Sequence, residues 1–196
     1  MARPQMVLVG ASPRLLEREL GEQIERFPLV GRFNDYHIDG FERHVGRRTT
    51  HWITGLSRQA LVRGRSTRGI SVLCAYPAQV YRKRPSRVER SLLVWKRLGI
   101  NPLVCAEMRR EEVEEIERLT EVPYCSTGLL GIAYFAFLRG YDVSLAGFDF
   151  FTSTRQHYYT ERQLESVRAH DFAREKRVVT AWARQGLVRV LDELPD

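Results

Sequence analysis

Met6-Val7-Leu8-Val9-Gly10-Ala11-Ser12 is the stretch that decides the fold class of this chain. A short apolar run that stops at a glycine reads as a buried strand ending in a tight turn. The next segment repeats its apolar residues at three to four positions, Leu15-Leu16, Leu20 and Ile24, which predicts a helix. Strand, glycine turn and helix together make the opening unit of an α/β sheet. The turn also offers backbone N–H groups to an anion or nucleotide, although a plain tight turn has the same composition. It has neither GxGxxG spacing nor the lysine of GxxxxGK[ST], so a dinucleotide fold and an ATPase P-loop are disfavoured.

The same alternation continues along the chain. Strands are expected at 28–33, 50–53, 70–75, 103–106, 142–148 and 187–191, and helices at 85–99, 111–118, 126–138 and 161–184. The acidic 111–118 stretch reads as a solvated helix, whereas 126–138 is apolar nearly all round and should be buried on most faces. Strands alternating with longer helices call for a mostly parallel, Rossmann-like sheet with helices on both faces. The 196 residues, 43% hydrophobic, suit one domain spanning 1–196. The polar, unpatterned residues 151–156 are the expected mobile loop.

Composition narrows the classes of function. No run of about 18 apolar residues exists, and the apolar start is too short for a signal sequence. Cys74, Cys105 and Cys125 form no CxxC pair and have no clustered histidines, so neither a disulfide framework nor a zinc site is expected. Together these features suggest a soluble protein of the reducing cytoplasm. The net charge of +7 comes almost wholly from arginine and favours anionic partners. Charge alone would allow nucleic acid, but no RNP-like, helix-turn-helix or zinc-finger pattern accompanies it, and no nucleic-acid partner is expected.

Three further segments carry chemistry. Cys125-Ser126-Thr127-Gly128 opens the apolar helix, where Ser126 or Thr127 can act as N-cap and Gly128 lets a ligand approach the backbone. An ordinary cap would look the same. His157-Tyr158-Tyr159-Thr160 places a histidine among aromatics in a loop, suited to a held, partly desolvated imidazole or to a surface residue. His170 and Glu175 lie five apart on the expected 161–184 helix, where His170 can serve as a general base or make a structural hydrogen bond.

Taken in order, these segments resemble the sialylmotifs of the glycosyltransferase family 29 sialyltransferases. The large motif reads Val7-Leu8-Val9-Gly10-Ala11-Ser12, then Gly21-Glu22-Gln23-Ile24-Glu25, Val30-Gly31-Arg32-Phe33-Asn34, Gly40-Phe41-Glu42 and Val45-Gly46-Arg47-Arg48-Thr49-Thr50-His51. The small motif is Ser126-Thr127-Gly128-Leu129-Leu130 through Ala146-Gly147-Phe148, the third is His157-Tyr158-Tyr159, and the very small motif is His170 with Glu175.

The resemblance implies a modified GT-A fold and inverting transfer of sialic acid, or a related 2-keto acid sugar such as Kdo, from a CMP-sugar to a glycan hydroxyl. It implies no metal and no cofactor besides the CMP-sugar donor. His170 would be the base and His157 the donor to the departing phosphate. Ser126, Thr127 and Gly128 would hold that phosphate and the ribose, with Gly10, Ser12 and Asn34 completing the donor site. Glu175 would support the fold around His170. A fold of this kind that binds nucleotide or glycan without turnover is the alternative.

Three departures stand out. Ala11 occupies a position usually taken by asparagine, and Thr160 one where an acidic residue is common. The disulfide of the animal enzymes would fall at Met6 and Arg139. An anionic or lipid-linked glycan acceptor and peripheral contact with the inner membrane face are further expectations. They rest on Arg63, Arg65 and Arg68 and on Arg82-Lys83-Arg84 with Arg87 and Arg90, which also fit a solvated surface.

Overall fold

The computed structural model describes residues 2–55, 68–83, 105–153, 155–160 and 170–192, without the side chains of residues 81–83 and 105–107. Strand β1 (Gln5–Val9) is an interior strand, paired on both edges. Met6 and Leu8 point into one apolar layer and Val7 and Val9 into the other, as the two-residue period of a strand requires. All four are buried, so β1 is covered on both faces.

The other strands are β2 (Leu29–Phe33), β3 (His51–Thr54), β4 (Ser71–Cys74), β5 (Cys105–Glu107), β6 (Asp142–Ala146) and β7 (Arg189–Val190). Among the described residues they form one seven-stranded sheet in the order β5-β4-β3-β2-β1-β6-β7, with every neighbouring pair parallel. The α/β, Rossmann-like expectation is met. The order reverses between β1 and β6, and open parallel sheets bind ligands at the carboxyl ends of the strands flanking such a reversal.

Several boundaries differ from the sequence expectation. The single helix expected after Ser12 is a 3₁₀ turn (Pro13–Glu17) followed by the short helix α1 (Gly21–Glu25). Pro13 fits the first turn, where its missing N–H costs nothing. Gly21 then packs so tightly on helix α2 (Glu42–Val45) that a Cβ there would lie 2.2 Å from the Glu42 carbonyl oxygen.

After β4 comes α3 (Ala78–Lys83). The expected 85–99 helix lies outside the described residues, as do 103–104 of the next expected strand.

Helix α4 (Arg110–Thr120) is not simply solvated, because Glu112, Val113, Ile116 and Thr120 are buried along one side. Burial pushes the Glu112 carboxyl up. Hydrogen bonds from the Arg109 N–H and from the Arg139 and Arg109 guanidiniums outweigh that and hold it below the ordinary range.

Helix α5 (Thr127–Ala133) runs into a π-helical turn (Tyr134–Leu138). Gly131 lets it rest on β2, since a Cβ there would sit 2.6 Å from the Phe33 ring. Helix α6 (Phe172–Arg184) begins at Asp171, whose side chain accepts from the Arg174 N–H as an N-cap. His170 therefore precedes the helix instead of lying on it, and residues 161–169 of the expected helix are outside the described residues. The last two strands are shorter than expected. β6 ends at Ala146 because Gly147 turns into the left-handed region, at φ 72°.

Candidate active site

The carboxyl ends of β1, β2, β3 and β6 open into one cleft of about 1010 Å³. It brings together every residue expected at the site: Gly10, Ser12, Asn34, Ser126, Thr127, Gly128, His157 and His170. These come from five separate stretches of sequence. The parallel sheet joins most of them, because Gly10, Ser12 and Asn34 follow strands, and Ser126 to Gly128 and His170 lie at helix starts, at the same edge.

The floor is the join between β1 and β6. The Gly10 N–H donates to the Ala146 carbonyl at 2.8 Å and the Ser12 N–H to the Gly147 carbonyl at 3.0 Å. A Cβ on Gly10 would fall 2.2 Å from the Gly147 oxygen, so only glycine permits this approach. Ser12 is buried and caps the 3₁₀ turn by accepting from the Arg14 N–H. From the C-terminal side, Asp192 accepts from the Gly147 N–H at 2.8 Å. Burial pushes the Asp192 carboxyl up, against hydrogen bonds and nearby arginines that pull it down.

Asn34 holds the next part of the rim. It takes a left-handed conformation at φ 47°, which asparagine tolerates better than most residues. Its Oδ1 accepts from the Gly55 N–H at 3.1 Å, tying the end of β2 to the end of β3. The side-chain amide N–H groups take no part in that bond.

At the start of α5, Ser126 is the N-cap, with Oγ accepting from the Leu129 N–H at 3.2 Å. Its own N–H and O–H both donate to Glu175, at 2.7 and 2.6 Å. Glu175 thus clamps Ser126, where the sequence suggested support around His170. Ser126 has no donor left for a ligand. The donors at this turn are the N–H groups of Thr127 and Gly128 with the Thr127 hydroxyl, at helix positions whose N–H groups have no acceptor within the helix. A Cβ on Gly128 would meet only ordinary contacts, 3.4 Å from Ser126 Oγ and 3.5 Å from the Phe148 ring. Glycine there keeps the backbone open to the cleft. Glu175 is 1% exposed, and burial pushes its carboxyl up to about 7, against the Ser126 hydrogen bonds.

His170 is fixed by its Nδ1, 2.9 Å from the Tyr124 carbonyl oxygen. A carbonyl only accepts, so Nδ1 carries the proton and Nε2 of the neutral ring is an unprotonated acceptor. That is the tautomer a general base needs. The rings of Tyr124 and Phe172 flank it, with centroids at 5.1 and 5.5 Å.

His157 is held by aromatic contacts, stacked on Tyr159 at 5.1 Å and edge-on to Phe151 at 6.0 Å. Burial lowers its pKa, Asp149 and Asp35 work against that, and His37 adds to the lowering. The loop is stapled by the Tyr158 N–H, which donates to the Ala11 carbonyl at 3.0 Å, and by the Tyr158 hydroxyl, which donates to the His37 carbonyl.

Asp35, His37, Asp149 and Phe151 are among the lining groups not singled out from the sequence. Asp35 and His37 follow Asn34, and their nearness to that residue was the available signal. Asp149 and Phe151 sit in the 147–151 turn, where Phe150 and Phe151 are both left-handed at φ 52° and 57°. Nothing in the local pattern marks consecutive phenylalanines for that conformation.

Comparison with known proteins agrees with the fold. The family model "Glycosyltransferase family 29 (sialyltransferase)" matches residues 5–67, the segment that supplies Gly10, Ser12 and Asn34. Residues 126–175 lie outside that match. The fold is similar to a solved structure, "Crystal Structure of a Mammalian Sialyltransferase", at 20% identity and TM-score 0.68, over 97% of this chain and 70% of that one. The same values hold for a mammalian sialyltransferase in complex with Gal-beta-1-3GalNAc-ortho-nitrophenol. No curated protein matches by sequence. Among the described residues, no helix is long and apolar enough to cross a membrane.

Proposed function

We propose that this chain is a glycosyltransferase family 29 protein, a reading supported by the family match over residues 5–67 and by the fold, and that it transfers an acid sugar from a CMP-linked donor to a glycan hydroxyl. The transferred group is sialic acid or a related 2-keto acid sugar such as Kdo. One observation carries this reading. A histidine in the tautomer of a base, His170, and a second histidine, His157, line one cleft with the free N–H groups of Thr127 and Gly128.

In this reading His170 Nε2 takes the proton from the acceptor hydroxyl as its oxygen bonds to the anomeric carbon. The bond from that carbon to the CMP phosphate breaks on the opposite face, its electron pair leaves with the phosphate, and the anomeric configuration inverts. The charge that develops on the phosphate meets the Thr127 and Gly128 N–H groups, the Thr127 hydroxyl and His157, which gives up a proton or a hydrogen bond. These groups do the work without a divalent cation. Ser126 acts indirectly, as the cap that shapes the turn.

The acceptor is a glycan, anionic or lipid-linked, and contact with the inner membrane face through the basic clusters belongs to the same proposal. Apart from Arg68, those side chains lie outside the described residues.

The test is donor turnover. Purified protein should release CMP from CMP-sialic acid or CMP-Kdo, faster with an acceptor. His170→Ala should lower turnover by about 10²-fold or more while leaving CMP binding nearly intact, and His157→Ala should lower both. No CMP release from any CMP-acid sugar, with His170→Ala indistinguishable from the parent, would sink the proposal. CMP binding without turnover would favour the inactive, nucleotide-binding alternative.

A further inference from the structure

A row of aromatic rings joins the two histidines of the proposed reaction. His157 lies edge-on to Phe151 with centroids 6.0 Å apart, Phe151 packs on Phe172 at 4.4 Å with the planes at 41°, and Phe172 packs on His170 at 5.5 Å. All four residues line the cleft, and both phenylalanines are half-buried. Each contact is ring to ring, so the two phenylalanines form one continuous apolar wall from one imidazole to the other.

Phe151 is held there against its own backbone preference. At φ 57° it sits in the left-handed region, where a Cβ crowds the carbonyl oxygen, and Phe150 before it does the same at φ 52°. Asp149 fixes the turn. Its Oδ1 accepts from the Phe151 N–H at 3.1 Å, and its carbonyl accepts from the Thr152 N–H at 3.1 Å and the Thr152 hydroxyl at 2.8 Å. Phe150 gains a place in the core from this conformation. Phe151 does not, because among the described residues it belongs to neither of the two apolar layers that enclose β1. Strain kept at a cleft without a gain in core packing is the mark of a functional contact.

We infer that Phe151 and Phe172 are further substrate-binding residues, forming the wall on which the transferred sugar packs through the methylene beside its anomeric carbon. This deepens the proposed function and rests on it. In an inverting displacement the acceptor oxygen enters opposite the departing phosphate. The anomeric carbon then lies between the base, His170, and the group that meets the phosphate, His157. The phenylalanine pair bridges the same two residues. Sialic acid and Kdo are both 2-keto-3-deoxy acids, with a CH₂ at C3 next to the anomeric C2. An apolar wall covers that CH₂ without stranding a polar group, whereas a sugar with a hydroxyl there would bury it unpaired against carbon. The wall therefore selects 3-deoxy acid sugars as a class.

The test compares CMP with CMP-sialic acid and CMP-Kdo on the full chain, without acceptor, by calorimetry. Phe151→Ala is the primary variant, because that ring lies outside both layers, and Phe172→Ala is the second. Each should lower affinity for the CMP-acid sugar that the parent binds by about tenfold, the order expected for uncovering one face of an aromatic ring, and leave CMP within about twofold. Phe151→Leu keeps apolar bulk and should recover most of the loss. In saturation-transfer NMR, irradiating the aromatic protons of the parent should reach the C3 protons of the bound sugar. That transfer should fall in both alanine variants while transfer to the cytosine ring is kept.

Unchanged affinity for the CMP-acid sugar in both alanine variants, or undiminished transfer to the C3 protons, would overturn the inference and leave the donor reading standing. So would an equal loss for CMP, which would mark the pair as structural. A parent that binds CMP but neither CMP-acid sugar would overturn the wall together with the acid-sugar part of the proposed function. A parent that binds none of the three would overturn the donor reading as a whole, and the wall with it.

Discussion

Replacing Glu175 by glutamine should flatten the pH dependence of this protein's stability. The side chain is 1% exposed and accepts from the Ser126 N–H at 2.7 Å and the Ser126 hydroxyl at 2.6 Å. Burial outweighs those two bonds, with Asp171 adding to it, and the carboxyl is pushed up from 4.5 to about 7. A raised carboxyl pKa means that the folded state holds its proton more tightly than the unfolded chain. The associated stability is therefore fully present below about pH 4.5, declines as pH rises, and is gone above about pH 7. The gap between those values corresponds to roughly 3 kcal/mol.

Glutamine has nearly the same shape and can still accept from the Ser126 N–H, but it does not titrate. The assay is urea unfolding of parent and Glu175→Gln at pH 5 and pH 8. The difference between the two proteins should swing by roughly 2 to 3 kcal/mol in favour of glutamine on going to pH 8, a little less than the full gap because the decline has begun by pH 5. Asp192, whose carboxyl burial also pushes up, adds a slope of the same sign to both proteins and cancels in the difference. An equal difference at the two pH values would refute the claim that Glu175 is charged against the preference of its site.

Two glycines at the cleft should behave oppositely. Gly10→Ala drives a methyl group to 2.2 Å from the Gly147 oxygen and should cost about 2 kcal/mol or more in urea unfolding, with weakened CMP binding. Gly128→Ala meets nothing closer than 3.4 Å, so stability should stay within about 0.5 kcal/mol while CMP affinity falls about tenfold. Arg32 is fully buried and donates to the Arg48 and Val45 carbonyls and to the Thr49 hydroxyl, tying 45–49 to β2. Arg32→Met strips those acceptors and should lower unfolding free energy by about 3 kcal/mol, read from the urea midpoint.

The positions of most strands were legible because buried parallel strands show as short apolar runs, and 6–9, 28–33, 50–53, 70–75 and 142–148 all delivered one, whereas their order in the sheet was not. Helix limits were less legible. Gly21, which opens α1 after the break, packs on the carbonyls of Glu42 and Arg43, distant residues that no local periodicity reports. The start of α6 at Asp171 was hidden because 161–184 has a continuous helical composition, and the side-chain cap that ends it is one hydrogen bond.

For the site, the sequence alone determined which groups could take part: glycine turns after strands, a capped apolar helix, and histidines at 157 and 170. Such features are written in local composition and in their order along the chain. Only the tertiary structure decided what each group does. It spent the Ser126 donors on Glu175, 49 residues away, set the His170 tautomer with a carbonyl 46 residues before it, and stacked His37 and His157 on one tyrosine. Protonation state and donor availability depend on partners across the sheet edge, and a linear pattern does not encode those distances.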